Sequence, residues 1–153
     1  QLQALLSGAG AIEVIEEPQS TQLWTEVRDV LPYAQAGDTR AVWRVSMAPL
    51  QGWRMIDEFR RYAGVDAYYD WQGGLIWMRM EAEPEAGTLR KLIAKYGGGH
   101  ATLIRAPEFA RANTDVFEPQ PTALAALSQR LKHQFDPENI LNPGRMYSEQ
   151  AGA

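Results

Sequence analysis

Apolar residues fall into short runs whose spacing switches between helical and strand periods. Leu2, Leu5 and Leu6 have helical spacing, and Gly8 and Gly10 end that run. Ile12, Val14 and Ile15 predict a short strand, closed by Glu16, Glu17 and Pro18. Ser20 or Thr21 can cap a helix over 22–31, with Leu23, Trp24, Val27 and Leu31 on one stripe. Residues 41–47 (AVWRVSM) are rich in β-formers and stop before Pro49. Leu50, Trp53, Ile56 and Phe59 recur at every third position and predict a helix over 50–62. Residues 65–71 and 75–80 read as two strands joined by a tight turn at Gln72, Gly73 and Gly74. Pro84 suits the start of a helix that runs to Tyr96, where Gly97, Gly98 and Gly99 stop it. Residues 100–105 form a last strand. Residues 106–121 are irregular, with Pro107, Pro119 and Pro121. Thr122 caps a final helix over 123–135, and a turn-rich tail follows to Tyr147.

From residue 41 the order is strand, helix, strand, strand, helix, strand. That is the split βαβ, ferredoxin-like unit. The expected class is α+β: a ferredoxin-like antiparallel sheet with helices on one face, plus a C-terminal helix and tail. Two parts are expected, 1–106 and 107–153, with residues up to 35 read as the end of a preceding βαβ-type unit. The opening QLQALLSGAG looks like the last turns of a helix, so the chain is expected to be part of a longer protein.

Side chains alternate along a strand, so each strand has two sets. One set is apolar: Trp43, Val45 and Met47; Ala67, Tyr69 and Trp71; Ile76, Met78 and Met80; Ala101 and Leu103. The other collects Arg44, Ser46, Tyr68, Asp70, Trp77, Arg79, His100 and Thr102. A solvated face usually carries Lys, Glu and Thr. This one carries aromatics, two arginines and a histidine, which suits either a flat organic ligand or a second domain, with plain solvent as the other reading. Trp43, Trp53 and Trp71 are expected in the core. Arg79 and Arg105 could form salt bridges with Glu81 or Asp70 instead of meeting a ligand, and His100 could equally be a structural histidine.

Composition narrows the chemistry. The chain has 153 residues, 15 basic and 19 acidic, for a net charge of -4. Nucleic-acid binding needs a basic face, so no nucleic-acid partner is expected. No apolar run approaches the length of a membrane span. There is no cysteine, hence no disulfide, thiolate metal site, cysteine nucleophile or iron–sulfur cluster on this chain. His100 and His133 alone make no metal site, and none is expected.

The tail reads DPENILNPGRM from Asp136 to Met146. Turn chemistry alone would give a helix exit followed by a loop. Together with the helix before it, this stretch resembles the C-terminal signature of FAD-linked oxidases of the vanillyl-alcohol oxidase and D-lactate dehydrogenase type. Val42-Trp43-Arg44-Val45-Ser46, Asp70-Trp71-Gln72-Gly73-Gly74 with Trp77, and Gly98-Gly99-His100-Ala101-Thr102-Leu103 with Arg105 are similar to three ordered motifs of one branch. That branch is the FAD-binding subunits of glycolate oxidases. The hairpin departs from the branch, which has Trp followed directly by two glycines.

The resemblance implies a cap domain lying over a flavin ring, with a tail that returns to an N-terminal FAD domain. The FAD would be held mostly by that domain, because Gly97, Gly98 and Gly99 follow a helix and make no phosphate cradle. A small 2-hydroxy acid needs a cation for its carboxylate and a base for its hydroxyl proton. Arg44 and Arg79 are the carboxylate or FAD-contact candidates, and His100 is the candidate base. Asn142 and Arg145 stand where the tail approaches the flavin. Trp77 and Thr102 complete the cofactor-facing set. The implied reaction is glycolate to glyoxylate, with D-lactate or an alcohol as rival substrates. A non-enzymatic ferredoxin-like binding module is the reading from another class. Implied partners are a homologous FAD subunit and an iron–sulfur subunit. The implied location is cytoplasmic, peripheral at the inner membrane through those partners. The isolated chain is expected to be inactive.

Overall fold

The computed structural model describes residues 2–144 and 146. The chain divides into two compact units, 1–38 and 39–153. In the first unit, α1 spans Leu2–Leu6 and α2 spans Gln19–Arg28, and a short 3-10 turn covers Leu31–Tyr33. The helix expected over 22–31 thus starts and ends three residues earlier. Val30 adopts a left-handed φ of 55°, which no α-helix accommodates, and Pro32 follows. The strand expected over 12–15 does not form. Ile12, Val14 and Ile15 are exposed and irregular, and among the described residues this unit has no other strand to complete a ladder.

The second unit holds β1 (Val42–Met47), α3 (Pro49–Phe59), β2 (Val65–Asp70), β3 (Leu75–Met80), α4 (Ala86–Lys95), β4 (Gly99–Arg105), α5 (Glu108–Ala112) and α6 (Thr122–Phe135). The sheet order is β2-β3-β1-β4, and every neighbouring pair is antiparallel. This is the ferredoxin-like α+β arrangement expected from the element order. Only α5 interrupts the stretch expected to be irregular.

The alternation in the strands decides which face is covered. Trp43, Val45, Ile76, Met78, Met80, Ala101 and Leu103 are buried against Met55, Ile56 and Phe59 of α3 and Leu89, Leu92 and Ile93 of α4. Trp43 is fully buried, and its indole N–H donates to the Pro84 carbonyl at 2.8 Å. That bond satisfies the one polar atom of the ring and fixes the approach to α4. The Arg90 guanidinium lies 5.7 Å from the centre of the same ring.

Arg90 also tethers the far edge of the sheet. It donates to the carbonyls of Asp115 at 2.6 Å and Phe117 at 2.9 Å. The Leu103 amide donates to Val116 O at 2.8 Å, and the Ala101 amide to a Glu118 carboxylate oxygen at 3.1 Å. Residues 115–118 therefore cover the free edge of β4, which would otherwise present unpaired amides. Gly99 begins β4 at a φ of 154°, and a Cβ there would stand 2.4 Å from Ser46 O. Only glycine lets the two strands approach that closely.

Replacing Phe59, which is fully buried, by Ala should lower the unfolding free energy of this unit by about 3–5 kcal/mol, read from urea denaturation. Leu50→Ala, at a residue 79% exposed, should change it by less than about 0.5 kcal/mol. Equal effects would show that α3 does not pack by the face described.

Candidate functional site

The open face of the sheet is built in cross-strand rows. Register pairs Tyr68 with Trp77, Trp77 with Arg44, and Arg44 with Thr102. One row thus crosses all four strands. The next runs Asp70, Leu75, Ser46 and His100. On the other side stand Asp66, Arg79, Val42 and, past a register shift in β4, Arg105, whose guanidinium donates to Arg40 O at 3.4 Å. Directly opposed side chains have Cβ atoms about 4.5–5.5 Å apart, so each row is a contiguous strip.

Arg44, Trp77, Thr102 and His100, all read from the strands as candidates, are thus brought together. Arg44, Trp77, Thr102 and Ser46 are partly exposed, and His100 is open to solvent. Arg79 lies on the same face, but its guanidinium is engaged by the Asp66 carboxylate at 3.1 Å. The expected carboxylates were Glu81 or Asp70. The near-symmetric hairpin instead sets Asp66 opposite Arg79. Arg44 makes neither a hydrogen bond nor an ion pair through its side chain among the described residues. Its guanidinium lies 5.4 Å from the centre of the Trp71 ring.

Trp71 corrects an expectation. It is 62% exposed and belongs to the hairpin turn, not to the core. Trp53, also expected in the core, is 55% exposed and has the Arg54 guanidinium over its ring. The turn explains Trp71. Trp71, Gln72 and Gly73 have consecutive φ values of 49°, 57° and 90°. Asp70 accepts a hydrogen bond from the Trp71 amide at 2.7 Å. The left-handed start breaks the strand alternation and removes the indole from the buried set. Nothing in the strand period announces this. Tyr68 completes the aromatic part of the face. Burial, reinforced by the Asp70 carboxylate, pushes its phenol up to about 12. It is therefore a neutral group at any physiological pH.

The tail forms a second place. Asp136 is buried, 5% exposed, and its carboxylate accepts from the amides of Ile140 and Leu141, both at 2.9 Å, and pairs with Lys132. Lys132 also donates to Leu141 O at 2.8 Å. In the sequence Asp136 is only a turn former before Pro137; it becomes a buried hub because the end of α6 sets Lys132 against it. Beyond it Asn142 is left-handed, with φ 49°. Asn142 lines a broad open groove of about 1150 Å³ with Phe117, Gln129, His133, Phe135 and Leu141. None of the open-face residues lines that groove. The candidates therefore fall into two sets, Arg44, Trp77, Arg79, His100 and Thr102 on the sheet and Asn142 in the tail. Arg145 lies outside the described residues. Leu124, Leu127, Leu131 and Phe135 form an exposed apolar row along α6, none of whose residues is buried.

The hydrogen bond from Lys132, opposed by burial and helped by the Leu141 and Ile140 amides, holds the Asp136 carboxyl below the ordinary carboxylate range. Its folded pKa is depressed. The stabilisation it gives is therefore full above the unfolded value of about 3.9 and is lost as pH falls through the lowered folded value. Asp136→Asn should speed hydrogen exchange at Ile140 and Leu141 by about tenfold or more, because charge-assisted bonds are replaced. In the parent chain the amide resonances of those two residues should titrate below the ordinary Asp midpoint. Unchanged exchange in the variant would show that the turn is held by something else.

A metal site is not suggested by grouping: the described residues contain no cluster of three or more metal-ligating side chains. No helix among them is long and apolar enough to cross a membrane. No protein-family model matches the chain, and no solved structure matches it. One curated relative, glycolate oxidase subunit GlcE of Escherichia coli (strain K12), is 31% identical over 157 residues. The match covers 95% of this chain and 38% of that protein. The chain thus resembles a glycolate oxidase subunit along nearly its whole length while spanning 38% of that relative, as the motifs on β1, the hairpin, β4 and the tail indicate.

Proposed function

We propose that this chain is the C-terminal, cap-forming part of a FAD-linked 2-hydroxy-acid oxidoreductase subunit, with glycolate as substrate. The observation that carries the reading is the open sheet face. It sets Arg44, Trp77, Thr102 and His100 on neighbouring strands of one rigid sheet, in a chain similar to a glycolate oxidase subunit.

The residues present fit the ring end of a flavin better than its phosphates. Trp77 and Tyr68 offer flat apolar surface, and Thr102 and Asn142 offer hydrogen-bonding groups. Gly97 and Gly98 lie between α4 and β4 and Gly99 opens β4, so no helix N-terminus follows them. The pyrophosphate would be held elsewhere in the subunit. FAD, when bound, would accept the hydrogen of the carbon that bears the substrate hydroxyl together with its two bonding electrons, as a hydride.

This chain's own residues do the rest. Arg44 binds the substrate carboxylate through its fork of N–H donors. An imidazole nitrogen of His100 takes the hydroxyl proton as the C–H bond breaks. Arg44 pairs with Thr102, so His100 is its diagonal neighbour, about 7–8 Å away along the backbone and somewhat nearer at Cβ. A two-carbon acid spans the gap between two such side chains. Thr102 and Ser46 orient the substrate oxygens. The apolar row of α6 and the tail supply a surface for the FAD-holding part of the subunit to cover, which would also exclude water from the face. Partner subunits, one homologous and one bearing an iron–sulfur cluster, would carry the electrons away, because this chain has no cysteine.

The visible spectrum of the natural full-length protein, purified with its co-purifying subunits, tests this. An oxidised-flavin spectrum that bleaches on adding glycolate is the expected result. His100→Gln should then slow bleaching by about 10²–10⁴-fold with the flavin retained. A colourless protein would overturn the reading and leave a ferredoxin-like binding module in its place.

A further inference from the structure

We infer that the pair Arg44–Trp71 is a preformed anion clamp, and that it, not Arg79, is the element that recognises the carboxylate of a small organic acid. This rests on the proposed function for its place in an enzyme, but its own evidence is local.

Two arginines of the open face, Arg44 and Arg79, stand on its two inner strands, and the structure treats them differently. Arg79 has a carboxylate partner, Asp66, at 3.1 Å, and its side chain is 17% exposed. Its charge is already met. Arg44 has no carboxylate partner among the described residues, although it too stands in an inner strand and is partly buried. A partly desolvated guanidinium without a counter-ion favours an incoming anion, since ion pairing is strengthened where water is partly excluded.

Trp71 prepares Arg44 for that ion. The guanidinium lies over the indole ring, 5.4 Å from its centre. Contact with a π-face limits the rotamers of a long side chain while leaving the edge N–H groups free to donate. Less ordering entropy then remains to be lost on binding. The turn that holds the indole there is strained. Trp71 and Gln72 both take left-handed φ values, 49° and 57°, which L side chains disfavour. Asp70 braces the turn through the Trp71 amide. Gly73, at φ 90°, continues it where a Cβ would meet Pro49 O at 3.1 Å. Backbone strain of this kind persists where surrounding structure over-determines it, and it concentrates at ligand clamps. Here it delivers an indole to Arg44, which has no carboxylate partner among the described residues.

The ligand class follows from the neighbours. Ser46, Thr102 and His100 flank Arg44 with short hydrogen-bonding groups, and Trp77 and Tyr68 wall the other side. A small carboxylate with a second oxygen on the adjacent carbon fits this set.

Oxalate is a suitable probe, because it has that shape and no C–H bond to oxidise. Its binding to the natural full-length protein is read by titration calorimetry, with circular dichroism as the check on folding. Arg44→Lys keeps the charge and loses the fork, and should weaken oxalate by about tenfold or more. Trp71→Leu should weaken it by about threefold or more, and Trp71→Phe should restore most of that loss. The clamp is overturned if the parent protein does not bind oxalate, if Arg44→Lys leaves the affinity unchanged, or if the loss follows Arg79→Gln instead. The two readings fail separately. A colourless protein that binds oxalate through Arg44 upholds the clamp and removes the oxidase. A flavoprotein whose oxalate affinity ignores Arg44 does the reverse.

Discussion

Trp43 is the residue on which the architecture turns. It sits fully buried in a central strand, with its indole N–H bonded to Pro84 O. A side chain that large with one polar atom has few places to go. Once it is fixed, the period of the strand leaves no freedom: Val45 and Met47 follow it inward, and Arg44 and Ser46 must face out. The hairpin on one side and β4 on the other then bring Trp77, Thr102 and His100 to the same outward face. The core and the candidate site are two sides of one constraint.

The same residue links the core to the sheet edge. Arg90 lies over the Trp43 ring and ties down the carbonyls of Asp115 and Phe117. Those residues cover β4 and lead towards α6. The second unit is therefore a tightly built sheet with a more exposed appendage. The sheet holds its candidate groups on rigid strands, which suits the positioning of substrate. The appendage holds Asn142 on a turn organised by one buried carboxylate. An exposed apolar helix row beside that turn has the character of a surface that works when covered.

Much of this is legible in the residues alone. The order of strands and helices from residue 41, the bounds of β3 and the division of each strand into two faces follow from period and punctuation. These are local properties, set by side-chain direction and by proline and glycine. Arg44, Trp77, Thr102 and His100 could be grouped because alternation places them together whatever the strand order. The tail and strand motifs carried the resemblance to a glycolate oxidase subunit, and the 31% identity with GlcE agrees with them.

Tertiary structure decided what depends on partners distant in the chain or on unusual backbone. Ile12, Val14 and Ile15 have a strand's pattern but form none, because a strand needs a neighbour to satisfy its amides. Trp71 follows the strand's alternation on paper, yet a left-handed turn carries it out of the core and over Arg44. Which of the two arginines is neutralised depended on hairpin register, which set Asp66 and not Asp70 or Glu81 against Arg79. Composition and period determine which residues share a face. Only the three-dimensional pairing of charges and the sign of φ at two residues determine that Arg79 meets a carboxylate and Arg44 an indole.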